Sequence, residues 1–223
     1  RLMHNKIRDH NKELEGKVQE RTRDIEETRL DVIRRLGRAA EYKDNETGFH
    51  VIRMSKYCEQ LALKAGMSPE KVSVILNASP MHDVGKIGIP DAVLLKPGKL
   101  DADEWEIMKS HSIIGGEILS EGDSDLMRMA QTVALTHHEN YDGSGYPNGL
   151  AGEEIPVEGR ITAICDVFDA LLSDRPYKKA WTFDEAVGFM REQSGIKFDP
   201  ELLELFLGIT DKIMVIKERW SDK

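Results

Sequence analysis

The stretch "SPEKVSVILNASPMHDVG", residues 68–85, indicates how this chain folds. Ser68 is a preferred residue for capping the first turn of a helix. Pro69 fits the first helical position, where no backbone N–H is required. The stretch therefore predicts a helix, and a His82–Asp83 pair lies near its end.

The segments on either side of this stretch carry similar helix signals. "ETGFHVIRMSKYCEQLALKAG" is amphipathic and stops at Gly66, and "DADEWEIMKSHSIIGGEILS" begins with a capping Asp101 and acids in its first turn. Four more helical segments follow, beginning near residues 124, 157, 182 and 199. Strand signals are nearly absent, apart from an ambiguous apolar "GRITAI". We therefore predict an all-α fold with about seven or eight helices in one body.

One long helix is predicted at the start of the chain, from about residue 11 to residue 43. Apolar residues recur there every seven residues, at Val18, Ile25 and Val32. Arginine and threonine occupy the partner heptad positions, so a coiled coil formed by this helix would be weak. The helix either leans on its own domain or forms a dimerising linker that carries a signal from an upstream domain. We favour the linker, which makes residues 1–43 a linker helix and residues 44–223 the functional domain.

Composition and charge exclude several classes of protein. The chain has 223 residues and a formal net charge of -9, which disfavours binding to a long nucleic acid. No apolar run is long enough to predict a membrane span, and the first residues lack the apolar core of a signal peptide. The two cysteines, Cys58 and Cys165, lie in apolar segments and are expected to be reduced in a cytoplasmic protein. Because no initiator Met is present, we expect a piece of a longer protein.

Histidines and carboxylates are the candidate site residues. The predicted body contains five histidines: His50, His82, His111, His137 and His138. Glu46 lies four residues before His50, on the same helix face, and Asp83 and Asp166 also interrupt apolar segments. Burying so many polar groups is costly unless something satisfies them. Imidazole mixed with carboxylate favours Fe, Mn, Zn or Ni over Mg or Ca, and the number of ligands indicates two or three ions.

Three motifs resemble one known family. They are "HDVGKIGIPD", "HHENYDGSGYPNGL" and "DVFDALLSDRPYKKAW", and the resemblance to the HD-GYP family extends from about residue 36 to the C-terminus. It implies an all-helical, HD-type bundle that opens cyclic di-GMP to linear pGpG, and in some members on to GMP. It also implies that the leading helix joins this domain to a receiver or other sensory module, with GGDEF-type or other signalling proteins as candidate partners.

The resemblance also implies roles for individual residues. Six would hold a two-metal core, with Fe favoured over Mn, Zn or Ni: His82, Asp83, His111, His137, His138 and Asp166. Glu46 and His50 would go with a third ion. Lys86, Arg175 and Lys178 would contact substrate phosphates, and Tyr146 of the Gly-Tyr-Pro loop would shape the rim where the nucleotide enters. An exposed basic stretch remains the alternative for Arg175 and Lys178.

The expected reaction is in-line attack on a phosphodiester by a hydroxide that bridges two metal ions, with Asp83 and Lys86 as the catalytic side chains. Two alternatives stay open: a nucleotide receptor or interaction domain with little turnover, and a hydrolase that prefers cyclic GMP-AMP. Asp142 either caps a turn or has a functional role, and Asp169 is placed to orient a metal ligand. Trp105 and Trp181 are expected to be core or interface aromatics.

Overall fold

The computed structural model describes residues 2–44, 49–174 and 179–221. Over these ranges the chain forms eleven α-helices: α1 (Leu2–Lys43), α2 (Phe49–Lys64), α3 (Pro69–Ala78), α4 (Asp91–Leu94), α5 (Ala102–Lys109), α6 (His111–Ile118), α7 (Asp125–Thr136), α8 (Val157–Leu171), α9 (Phe183–Glu192), α10 (Pro200–Leu207) and α11 (Thr210–Arg219). Three short 3-10 helices cover Ser79–Met81, Val84–Gly88 and Gly152–Glu154. The described residues contain no strand, so the all-α prediction is confirmed. None of these helices has the length and apolar character needed to cross a membrane.

The body has more helices than the seven or eight predicted, because two expected helices are each divided. Ser110 separates α5 from α6, and its hydroxyl donates to the Ile107 carbonyl, which competes with continuation of the helix. Gly208 and Ile209 separate α10 from α11. The short α4 was not expected, and "GRITAI" lies in the helix α8. The described body therefore contains ten α-helices after α1.

Side chains cap the helix starts as the sequence predicts. The Ser68 hydroxyl accepts from Lys71 N at the start of α3. Asp101 and Glu104 form a reciprocal capping box at the start of α5. Such a cap stabilises a helix by about 1 kcal/mol.

The main apolar core lies between α2, α8 and α10. Tyr57 and Phe206 both pack edge-on against Phe168, with ring centroids 6.3 and 4.9 Å apart. Cys58 and Cys165 are buried in this core as free thiols, as expected. The core fixes α2 beside α8, which carry parts of the site described below.

The last third of α1 packs against the body. Ile33 and Ala40 are buried there, and a Cβ on Gly37 would lie 2.4 Å from the Pro80 carbonyl oxygen, so the helix approaches the backbone closely. The three heptad positions are exposed: Val18, Ile25 and Val32. The helix thus leans on its own domain at its C-terminal end. The division into a linker at 1–43 and a domain at 44–223, and dimerisation through α1, stay predictions.

Candidate metal centre

Five structural elements bring the predicted ligands together. His50 lies on α2 and Asp166 on α8, while His82 and Asp83 lie between the 3-10 helices after α3. His111 begins α6, and the His137–His138 pair follows α7. A Cβ on Gly85 would lie 1.9 Å from the His111 carbonyl oxygen, so a glycine is required for α6 to pack this closely against the His-Asp segment.

The first group of potential ligands consists of Asp83, His111, His137 and His138, with ligand atoms all within 4.8 Å of one another. Oδ1 of Asp83 lies 3.2 Å from Nε2 of His111 and 3.5 Å from Nε2 of His137. The His137 and His138 rings are 4.0 Å apart, centroid to centroid. The adjacent histidines at the mouth of the glycine-rich loop therefore reach the same small volume.

The second group consists of His50, His82 and Asp166. Nε2 of His50 lies 3.2 Å from Oδ1 of Asp166, and Nε2 of His82 lies 3.9 Å from the same oxygen. Nε2 of His82 is also 3.2 Å from Oδ2 of Asp83. Oδ1 of Asp83 therefore faces the first group and Oδ2 faces the second, so this carboxylate joins the two groups into one cluster.

Backbone and carboxylate oxygens orient four of the imidazoles. In each, Nδ1 lies within 3.0 Å of an oxygen acceptor: Ser79 O for His82, Met108 O for His111, Val133 O for His137, and Asp169 Oδ2 for His50. A carbonyl oxygen only accepts, so Nδ1 carries the proton in the first three. With Nδ1 occupied, Nε2 is the atom that faces the cluster, and its lone pair binds a metal once Nε2 has no proton.

The cluster passes a test of fit for metal ions. Among the described residues, three of its buried atoms have no hydrogen-bond partner: Nε2 of His82, Oδ1 of Asp83 and Nε2 of His137. Leaving such groups unsatisfied in the interior costs about 1 to 3 kcal/mol each. Divalent ions would satisfy all three, and nitrogen with carboxylate oxygen is a donor set that transition metals prefer.

The electrostatics of the first ligand group keep its residues in the forms that bind a metal. Burial lowers the pKa of His137 and, together with the His137 and His111 rings, holds the pKa of His138 well below its usual value. Burial alone would raise the pKa of Asp83, but Lys86 and His82 outweigh it and keep the carboxyl ionised. Neutral imidazoles beside an ionised carboxylate are the protonation states that metal binding requires.

In the second group, burial lowers the pKa of both histidines, but Asp166 and Asp169 raise that of His50 well above its usual value and Asp83 raises that of His82 to about 9. Metal binding to the second group must therefore release protons.

Asp169 and Arg53 support the second group. Asp169 is fully buried, and its Oδ2 lies 2.8 Å from His50 Nδ1, within hydrogen-bond distance. This contact is consistent with the predicted role of Asp169 in orienting a metal ligand. Arg53, which was not singled out from the sequence, donates from Nε to Asp169 Oδ1 at 2.8 Å and from Nη1 to the Trp220 carbonyl at 2.9 Å. Its position three residues after His50, on the buried face of α2, was the available signal.

Lys86 lies against the cluster rather than on an open rim. Its Nζ is 2.6 Å from Asp44 Oδ2 and 2.9 Å from Asp83 Oδ2. Asp44 was not singled out from the sequence. Neither was Lys43, whose ammonium donates to the carbonyls of Ile87 and Ile89 just after the His-Asp segment.

The glycine-rich loop is held by a buried carboxylate that sequence analysis also missed. Glu139, directly after the His pair, is 2 % exposed and accepts from the backbone amides of Asn148 and Leu150 at 2.7 and 3.0 Å. Tyr146 packs on the His138 ring at 4.7 Å. Asp142 accepts from Ser144 N, which is the turn-capping alternative of the two considered for it.

The remaining residues that were singled out from the sequence are one glutamate, two basic residues and two tryptophans. Glu46, Arg175 and Lys178 lie outside the described residues. Trp181 packs half-buried against the core, as expected. Trp105 was expected to be a core or interface aromatic; its side chain is 46 % exposed at the mouth of the loop, so it is not a core residue, and an interface role stays a prediction.

The comparisons with known proteins agree with the motifs. A family model described as HD domain matches residues 2–202. The chain is 48 % identical over 199 residues to the 3'3'-cGAMP-specific phosphodiesterase 2 of Vibrio cholerae, covering 89 % of this chain and 38 % of that protein. It is also 48 % identical over 194 residues to the cyclic di-GMP phosphodiesterase response regulator RpfG of Xanthomonas campestris, covering 87 % and 51 %.

A third relative and a solved structure extend the agreement. The cyclic di-GMP phosphodiesterase of Thermotoga maritima is 42 % identical over 210 residues, covering 94 % of this chain and 57 % of that protein. The chain thus spans about half the length of these relatives. A crystal structure of a V. cholerae cyclic GMP-AMP phosphodiesterase, V-cGAP3, superposes with a TM-score of 0.66 at 16 % identity, covering 86 % of this chain and 53 % of that one, and shares the fold. The match to the HD-domain model, together with relatives at this identity and the His-Asp and Gly-Tyr-Pro motifs, shows that the chain belongs to the HD-GYP family.

Proposed function

We propose that this chain is a metal-dependent phosphodiesterase that hydrolyses cyclic di-GMP to linear pGpG. The observation that carries the proposal is the convergence of seven predicted ligands in one largely buried cluster. Four of the imidazoles already hold Nδ1 against an oxygen and direct Nε2 inward. A cluster preorganised in this way is typical of a site that uses metal ions for chemistry.

The first group would hold one ion and the second group another, with Asp83 between them. When bound, such ions supply Lewis-acid stabilisation of charge on phosphoryl oxygens and activate water for attack. Iron is our first expectation and manganese the second, with zinc or nickel as alternatives. A third ion at Glu46 and His50 stays a prediction.

The protein's own side chains would position the substrate. Lys86, beside Asp83, would place a positive charge next to a phosphate that enters the cluster. Tyr146, packed on His138, forms one wall of the entrance, and Glu139 holds the loop that carries Tyr146. Arg175 and Lys178 are proposed as further phosphate contacts from the sequence motif.

Cyclic GMP-AMP is the second candidate substrate. One relative at 48 % identity bears the name of a 3'3'-cGAMP-specific enzyme, while two others are named for cyclic di-GMP. The response-regulator name of one relative supports an upstream receiver or sensor module for the whole protein. That module, the signalling partners and a cytoplasmic location stay predictions.

The experiment is turnover by anaerobically purified protein, reloaded with Fe(II) or Mn(II), with metal counted on the same sample. Cyclic di-GMP and 3'3'-cGAMP are supplied side by side. Linear dinucleotide formed with two or three ions bound per chain supports the proposal, and the faster substrate decides between the two nucleotides. A fully loaded protein that binds nucleotide without turnover would support the receptor alternative.

A further inference from the structure

A cleft of about 370 Å³ adjoins the first ligand group on the side of the glycine-rich loop. His138 belongs both to this cleft and to the metal centre. The rest of the wall comes from Trp105 and Lys109 of α5, from the loop around Ser144 and Tyr146, and from Lys197. None of these residues except Tyr146 and His138 has a role in the site described so far.

The cleft brings together positive charge and aromatic surface. Lys109 Nζ lies 6.0 Å from the centre of the Tyr146 ring, and the Trp105 ring meets the same tyrosine edge-on at 6.1 Å. Trp105 is 46 % exposed, whereas a tryptophan with a purely structural role would be largely covered. Two lysines at one cleft contrast with the net charge of -9 of the whole chain.

The two lysines are placed independently and are available to an anion. Lys109 pairs with Glu106 at 2.7 Å, but Glu106 is 71 % exposed, and such a surface pair stabilises little and is readily exchanged. Lys197 forms no ion pair with any residue in the described ranges. Its backbone is fixed beside the glycine-rich loop, because the Lys197 carbonyl accepts from Tyr141 N and the Ile196 carbonyl from Asp142 N.

A cyclic dinucleotide has two phosphodiesters and two bases, and only one phosphodiester is at the metal centre during attack. The other half must occupy an adjoining site with a cation for its phosphate and a flat apolar surface for its base. We propose that this cleft binds the half of the cyclic dinucleotide that is not attacked, with Lys109 and Lys197 holding its phosphate and Trp105 stacking on its base. This inference rests on the proposed function and assigns the substrate-binding residues of the same site.

The test compares the cyclic dinucleotide with a substrate that has only one phosphate. Metal-loaded Lys109→Met, Lys197→Met and Trp105→Ala are assayed on cyclic di-GMP, 3'3'-cGAMP and bis(p-nitrophenyl) phosphate. In each variant we expect kcat/KM to fall for both substrate types. The factor by which it falls for the dinucleotide that wild type hydrolyses faster should be roughly ten times the factor for bis(p-nitrophenyl) phosphate. Lys71→Met, at an exposed position on α3, is the charge-matched control and should behave as wild type.

The dissociation constant of a hydrolysis-resistant phosphorothioate analogue of cyclic di-GMP, measured by calorimetry on the same metal-loaded proteins, is the second readout. We expect it to rise roughly tenfold in each lysine variant. If wild type hydrolyses a cyclic dinucleotide but each variant loses kcat/KM equally on all three substrates, or loses none, the cleft assignment is wrong and the proposed function still holds. If wild type hydrolyses neither dinucleotide, the proposed function is wrong. The calorimetry then tests the cleft assignment separately, and the assignment is wrong if the lysine variants keep the wild-type affinity or if wild type does not bind the nucleotide.

Discussion

The Lys86 ammonium lies 2.6 Å from the carboxylate of Asp44, the residue that follows α1. The same ammonium is 2.9 Å from Asp83, the carboxylate that faces both ligand groups. The end of the long first helix is therefore one side chain away from the metal centre. Lys43, the last residue of α1, also holds the helix end against the site, because its ammonium donates to backbone carbonyls after the His-Asp segment.

Asp44→Asn should weaken metal binding. Without the negative charge of Asp44, the Lys86 ammonium pairs more strongly with Asp83 and competes with a metal ion for that ligand. We expect the dissociation constant for Mn(II) to rise by about tenfold, within the range found for residues that support metal ligands. Competition with a chromogenic chelator measures it.

Asp91→Asn is the matched control for Asp44→Asn. Asp91 pairs with Lys43 at 3.4 Å and its side chain is 74 % exposed, so its removal should leave the Mn(II) affinity unchanged. Equal Mn(II) affinity in the two variants would contradict a role for Asp44 in the metal centre.

Asp169→Asn should destabilise the fold as well as the site. The substitution removes the carboxylate that pairs with the Arg53 guanidinium, which is 1 % exposed, and weakens the acceptor of His50 Nδ1. Removing one partner of a buried pair costs about 3 to 5 kcal/mol. Urea unfolding of the metal-free protein measures the change in the free energy of unfolding.

Asp31→Asn provides the control for Asp169→Asn, because Asp31 and Arg35 form a pair of similar length, 2.8 Å, with both side chains exposed. Its loss should change the free energy of unfolding by less than about 0.5 kcal/mol. If Asp169→Asn cost no more than this control, the buried network would not stabilise the fold.

Gly85→Ala should displace α6 and with it His111. The added Cβ would lie 1.9 Å from the His111 carbonyl oxygen and 2.4 Å from Gly115 N, and backbone atoms cannot yield as a flexible side chain can. We expect a loss of about 1 to 3 kcal/mol in the free energy of unfolding, together with a reduced metal count. Thermal unfolding and elemental analysis of the reloaded protein are the measurements.

Gly188→Ala is the glycine control. An added Cβ at this exposed position of α9 meets nothing within 4 Å, so the higher helix propensity of alanine should stabilise the protein by up to about 1 kcal/mol. A similar loss of stability in both variants would show that close packing at Gly85 is not the cause.

Metal ions should stabilise the folded protein through the atoms that lack partners. At a free Mn(II) concentration 100 times the dissociation constant, the stabilisation is about 2.7 kcal/mol, which raises Tm by roughly 5 to 10 °C. His137→Ala removes a buried ligand atom and should abolish most of the rise. His10→Ala, at an exposed position on α1, should retain it. A Tm that does not respond to Mn(II), Fe(II) or Zn(II) in wild type would argue against a metal centre here.

The fold class, the capped helix starts and the residue types of the candidate site could all be predicted from the order of the amino acids. Helix caps such as Ser68 and Asp101 are local features, so each could be read from a few neighbouring residues. The concentration of histidines on otherwise apolar segments indicated metal ligands, because burial of unpaired imidazoles is costly. The three family motifs then indicated which ions and which reaction to expect.

The partners that support these residues could not be predicted and are known from the folded structure. Arg53 and Asp169 are 116 positions apart, Lys86 and Asp44 are 42 apart, and no local pattern specifies either pair. Helix periodicity reports which face of a segment is apolar, whereas the partner of each buried charge is set by which helices meet, and that is decided by long-range packing.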